Sequence, residues 1–188
     1  MHLDTVISDA ANHTGQVLRG VRPAHLDART PCADWDVRTL VNHVLQVGSA
    51  LALAGRGGPV PTELWNQELL DDDFAARFDA DREQAIAGWA VEPAAPITLG
   101  AYEMPPAAVA SMLTTDLTIH GWDLARATGQ DYEPSPAAVD LTARFMTEMA
   151  EQGRAMGIFA APVPIAADAG PFAAILAVSG RDPGWYRA

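Results

Sequence analysis

Cysteine, basic side chains and long apolar runs are all scarce in this sequence, and each shortage removes a class of protein. Cys32 is the only cysteine, so no intramolecular disulfide can form, and any transition-metal site must draw on histidine and carboxylate rather than a set of thiolates. That usage fits a reducing compartment. Against 24 acidic residues stand 12 basic ones, a formal charge of -12, with no basic cluster able to neutralise a run of phosphates. Nucleic acid and anionic membrane surfaces are therefore not expected as partners, and the acidic balance reads as a solubility feature. No stretch is continuously apolar for ~18 residues, and the opening MHLDTVISDAANHTGQVLRG lacks a basic segment followed by an apolar one. Cytoplasmic residence is the expectation. No internal repeat appears, and no GxGxxG, P-loop, CxxC or nucleophile-elbow word supports a nucleotide-binding or serine-hydrolase reading.

What is present is material for one helical core. The 188 residues, 49% of them apolar, suffice for a single domain over 1–188 and are too few for two comfortable ones. Alanine and leucine far outweigh aromatic and β-branched residues, which predicts an all-α fold. Val6, Ala10, His13, Val17 and Val21 recur at spacings of three and four, a first amphipathic helix from about Asp4 to Arg22 that Pro23 ends. A second helix, about Asp36 to Ala54, follows a cap-rich stretch and stops at Gly55. A third spans Asp72 to about Trp89, with Phe74, Phe78, Ala85 and Trp89 on its apolar side. EPAAPITLGAYEMPP, with four prolines, predicts a long extended crossover with one short strand at Ile97 to Leu99. Pro106 and Pro136 suit first helical turns, giving a fourth helix to Thr128 and a fifth to near Gly153. Four of these helices should form a bundle. Phe172 to Val178 reads as a small helix covering the bundle's end.

Chemistry concentrates on the fourth helix. At about 100° per residue, Val109, Leu113, Asp116, His120, Asp123 and Ala127 lie within roughly 40° of one line. Three polar groups thus interrupt an apolar stripe that should face the interior, where an unpaired carboxylate costs several kcal/mol. Asp116 and His120 stand one turn apart on the same face, about 6 Å along the axis, and can chelate one ion. Bundle proteins complete such a pair from a facing helix. The natural third ligand is His43, toward the edge of the second helix's stripe of Leu40, Val44, Val47 and Leu51. A hydrogen-bonded triad of Asp116, His120 and Asp123 without metal fits the same spacing, and residue types alone leave both readings open.

The words TPCADWDVRTLVNHVLQ, DLTIHGWDLARATGQ and GRDPGW resemble the actinobacterial metal-binding proteins related to the N-terminal domain of mycothiol-dependent maleylpyruvate isomerase, within the DinB/YfiT-like superfamily. The likeness runs over essentially the whole chain. It implies a DinB-like four-helix bundle with a long crossover, and a divalent metal, zinc or nickel, on three side chains plus water. The family's first histidine falls on His43, and its carboxylate four residues before a histidine falls on Asp116 and His120, although the isomerase commonly has Glu there. Asp123 matches the Asp of the HGWD word and is read as orienting a ligand. The isomerase has a further C-terminal domain that the sequence up to Ala188 lacks, so the expected activity is not maleylpyruvate isomerisation itself. It is that of a mycothiol-dependent transferase or isomerase, in which a metal-bound thiol attacks a small electrophile. The alternative is a non-catalytic module in which the metal braces two helices. A homodimer is left open.

Other candidates carry plainer readings. Cys32 sits before a helix start, where thiol pKa values fall, but a lone loop cysteine is ordinarily inert. Trp35 and Trp122 can wall a ligand pocket, Trp122 with the better case because it neighbours a proposed ligand, though Trp in bundles is usually core. Arg126 can bind a substrate carboxylate; a surface ion pair with Asp123 or Asp131 is the ordinary role. His13, on an apolar face, reads as a buried hydrogen-bonding histidine.

Overall fold

The computed structural model describes residues 2–91 and 93–186. Six α-helices dominate it: α1 (Leu3–Gly20), α2 (Val37–Gly55), α3 (Phe74–Trp89), α4 (Pro106–Thr128), α5 (Pro136–Ala155) and α6 (Pro171–Val178). Their ends follow local chemistry. The Asp36 carboxylate accepts the Thr39 N–H at 2.8 Å to start α2, Ser135 caps α5 through the Ala138 N–H, and Gly129, at φ 72°, closes α4 in the left-handed conformation that favours glycine. The first helix stops two residues earlier than its periodicity predicts, because Val21 and Arg22 turn extended ahead of Pro23.

The four-helix bundle is made by α1 to α4. Both α1 and α2 pack against α3 and α4, so successive helices α1 and α2, and likewise α3 and α4, lie across a diagonal. The chain therefore crosses the bundle through residues 21–36 as well as through 90–105, the one crossover expected. Their shared core includes Ile7, Leu18, Leu40, Leu45, Leu51, Phe78, Leu113, Leu117 and Leu124, all nearly sealed from solvent. The close approach of α2 and α3 rests on glycine, since a Cβ on Gly88 would lie 2.7 Å from the backbone of Gly55.

Two expectations change in detail. The crossover holds a two-stranded antiparallel hairpin rather than one strand: β1 (Ile97–Leu99) pairs with β2 (Tyr102–Met104) because Gly100, at φ 58°, turns the chain back on itself. And α6 does not cap the bundle's end. Ile175 and Leu176 join Met146 and Ala150 of α5 and Ile119 and Trp122 of α4 in a second apolar cluster, placing α6 on the flank of α5. From there the chain continues inward to Arg181, which is buried. Among the described residues no helix is long and apolar enough to cross a membrane.

Candidate metal centre

The packing of α2 on α4 brings His43 to the Asp116 and His120 pair. Asp116 Oδ1 lies 3.1 Å from His43 Nε2 and 3.1 Å from His120 Nε2, and one donor atom from each residue lies within 4.8 Å of the others. Donors bound at the ~2.0–2.1 Å usual for zinc stand about 3.3 Å apart in a tetrahedron, so the two short separations suit a shared ion. Two imidazoles and a carboxylate are also a donor set that divalent first-row metals accept. The edge position of His43 on its stripe matters here: its side chain keeps 19% of its surface and that of Asp116 27%, so the donors face a solvent-accessible side.

Behind them the polar chain continues inward. The Asp123 carboxylate, 0% exposed, lies 2.9 Å from His120 Nδ1 and 3.0 Å from Arg181 Nη2. Because a carboxylate there can only accept, Nδ1 carries the proton, and His120 Nε2 turns a lone pair toward Asp116 unless that nitrogen is protonated too. Two facing lone pairs at 3.1 Å would repel, so the geometry calls for a second proton or a cation at this point. Arg181 is in turn fixed by donating Nη1 to the Ser179 carbonyl at 3.1 Å.

The charges respond accordingly. Burial works against ionised Asp116, but the charge and hydrogen bond of His43, with the charges of His120 and Arg181, outweigh it and hold the carboxyl down at about 2. Burial likewise opposes ionised Asp123 and is overcome by Arg181 and then His120, which lower it. For His43 burial opposes the imidazolium, yet Asp116 raises it above the ordinary value.

Two groups given plainer readings from sequence, Trp35 and Cys32, lie at this site, together with Trp65, which the sequence did not single out. Trp35 stacks on His120 with ring centroids 5.4 Å apart and an interplanar angle of 26°, and lies 4.8 Å from the His43 ring. Trp65 approaches the His43 ring at 6.2 Å, on a strap that Asn42 and Gln46 of α2 hold through the Gln67 carbonyl. Cys32 comes within 4.8 Å of donor atoms of His120 and Asp123. Arg181 already neutralises that second group, and burial pushes the Cys32 thiol up to about 11, against the lowering pull of Arg181. Cys32 and Trp35 arrive on the first crossover and Arg181 on the tail, so only folding makes them neighbours. The word GRDPGW was the available signal for Arg181.

Other candidates go elsewhere. Trp122 is buried in the second apolar cluster, where its bulk fills space between α4, α5 and α6 rather than standing beside the three donors. Arg126 directs Nε and Nη2 to the Trp185 carbonyl rather than to Asp123 or Asp131, and Asp123 pairs with Arg181 instead. His13 packs edge-on to Tyr132 at 6.4 Å.

Fold and polar chain together define an all-α, DinB-like helical bundle with a cluster of imidazoles and carboxylates between two facing helices. The family model described as the mycothiol maleylpyruvate isomerase N-terminal domain matches residues 7–125, and the chain belongs to that family. Uncharacterized proteins of Mycobacterium tuberculosis, from strains H37Rv and CDC 1551, are each 32% identical over 133 residues, covering 68% of this chain and 69% of theirs. The crystal structure of mycothiol-dependent maleylpyruvate isomerase shares the fold at TM-score 0.59 and 18% identity, over 80% of this chain and 71% of that one. A histidine-to-alanine mutant of the enzyme aligns with TM-score 0.61 and 17% identity, with the same coverage.

Proposed function

We propose that His43, Asp116 and His120 hold one divalent metal ion, zinc or nickel, and that the protein is a mycothiol-dependent transferase or isomerase acting on a small electrophile. The observation that carries this reading is the single Asp116 oxygen 3.1 Å from two imidazole nitrogens, an arrangement that a shared cation would satisfy. The thiol assignment rests on family membership, because the solved relative is named for its dependence on mycothiol. When bound, such an ion supplies the charge that keeps a thiol deprotonated near neutral pH.

The protein's own groups have separable tasks. Asp123 holds the Nδ1 proton of His120 and so aims Nε2 outward, while Arg181 keeps Asp123 ionised and fixed. Trp35, against both imidazoles, restricts their rotation. The partly exposed Asp116 side leaves room for a non-protein ligand, the feature that distinguishes a working site from a closed structural one.

The test has two parts. Elemental analysis of untagged protein should find one metal ion per chain. The metal-loaded protein should consume mycothiol together with a reactive electrophile, whereas chelator-treated protein and His120→Ala should not. Bound metal with no metal-dependent consumption across a panel of electrophiles would reduce the site to a brace between α2 and α4.

A further inference from the structure

His43 sits on α2 between two residues that hold the strap carrying Trp65. Asn42, one position before it, donates Nδ2 to the Gln67 carbonyl at 3.0 Å and accepts the Leu69 and Leu70 N–H groups at 2.6 and 3.1 Å. Gln46, three positions after it, donates Nε2 to the same carbonyl at 2.8 Å and to that of Trp65 at 3.4 Å. The strap is thus tied to the turn of α2 that carries a proposed metal donor. Leu64, buried in the main core, anchors it next to Trp65.

These ties fix where the Trp65 ring stands. It is tilted 32° to the His43 ring at 6.2 Å, and Trp35 lies 4.8 Å from the same imidazole. Both indoles pack against the core yet are only partly buried, so each keeps some ring surface open. The polar side chains close by are already committed, Asn42 and Gln46 to the strap and Arg181 to Asp123 and the Ser179 carbonyl. A molecule bound beside the donors therefore meets ring surface, on which a flat apolar group gains most.

We infer that Trp65 is a substrate-contacting, specificity-determining residue, and that the electrophile carries a flat apolar group that packs on it. Trp65 has this role only if His43, Asp116 and His120 form the working centre proposed above. Asn42 is a positioning residue: because it holds the strap before any ligand arrives, no loop has to be ordered on binding.

Benzylacetone, a ketone with a phenyl ring and no conjugated double bond for a thiolate to attack, is the probe, with butanone as its ringless counterpart. In protein labelled with fluorotryptophan, benzylacetone should saturably shift the Trp65 fluorine resonance, assigned by its loss in Trp65→Phe. The resonance of Trp89, sealed in the core with Nε1 on the Leu51 carbonyl, should stay in place. By calorimetry benzylacetone should bind more tightly than butanone, and Trp65→Ala should cut that preference roughly tenfold, the worth of one stacked ring. Trp65→Phe should restore most of it, and Asn42→Ala, which frees the strap but keeps the indole, should weaken benzylacetone several-fold. In turnover, Trp65→Ala should raise KM for an aryl electrophile by the same factor, with kcat and bound metal unchanged. Absence of the Trp65 shift, a ring preference indifferent to Trp65→Ala, or loss of metal as that variant's sole effect would each overturn the assignment. Metal-dependent thiol consumption with a silent Trp65 would overturn it while leaving the thiol chemistry standing. A saturable shift without turnover would support the contact and remove only the thiol chemistry.

Discussion

Asp116 is the residue on which the centre turns, because one of its oxygens serves two imidazoles. Replacing His43 or His120 with Ala should abolish stoichiometric metal, measured by elemental analysis after gel filtration, since two donors hold an ion poorly. Asp123→Asn should keep the metal at ~10–100-fold lower affinity, because the change disturbs how His120 is presented without removing a donor. Acid should act on both states in definite directions. Protons compete for His43, whose imidazolium is favoured above the ordinary 6.5, so metal affinity should fall as pH drops through that region. In metal-free protein, the depressed Asp116 contributes stability that is full above 3.8 and is lost as pH falls toward about 2. The contribution is on the order of 2 kcal/mol. Urea unfolding of chelator-treated protein at several acid pH values should show a shallower pH dependence in Asp116→Asn than in the wild type.

At the scale of elements, the site depends on how closely the helices approach and on what the connections carry. Gly88→Ala puts a methyl 2.7 Å from the Gly55 carbonyl carbon, where backbone has to give way. Better helix propensity returns up to about 1 kcal/mol, but overpacking costs about 1–3. A net loss is expected, read as a lower urea midpoint with an unchanged slope. The flanking helix α6 leads the chain to Arg181, so a substitution in the tail should reach the centre. Arg181→Met leaves Asp123 buried without its counter-charge, a change of the kind that costs about 3–5 kcal/mol when one partner of a buried pair is lost. It should also loosen the metal, so calorimetric metal affinity and thermal unfolding should fall together. Unchanged affinity in Arg181→Met would show that Asp123 orients His120 without this support.

At the scale of the whole molecule, an ion joining α2 to α4 couples binding to stability. Metal in 100-fold excess over its dissociation constant should stabilise the fold by about 2.7 kcal/mol. Chelator should lower the melting temperature of wild type but not of His43→Ala. Both histidine variants should still fold when metal-free, because the large apolar cluster that joins α1 to α4 holds together without either imidazole. A collapse of the helical circular dichroism signal in His43→Ala would show instead that the centre is part of the core.

Much of this molecule is local and therefore readable along the chain. Helix starts are set by neighbours a few residues away, as Asp36 caps Thr39 and Pro106 opens α4. The alignment of Asp116, His120 and Asp123 follows from 3.6 residues per turn, and the buried carboxylate at 123 signals by its cost alone that a partner must exist. Which partner was a tertiary matter. Arg181 is 58 residues away on a tail that looked like a cover. Cys32 and Trp35 reach His120 only because the 21–36 connection crosses the bundle diagonal, and no spacing records a diagonal. His43 was within reach of inference because a helix stripe marks its facing side, whereas its 3.1 Å approach to Asp116 depends on how α2 seats against α4. Sequence determines each helix and the face it buries, since those depend on neighbours one turn away. Packing alone determines which faces meet, because that depends on the closure of all the helices at once.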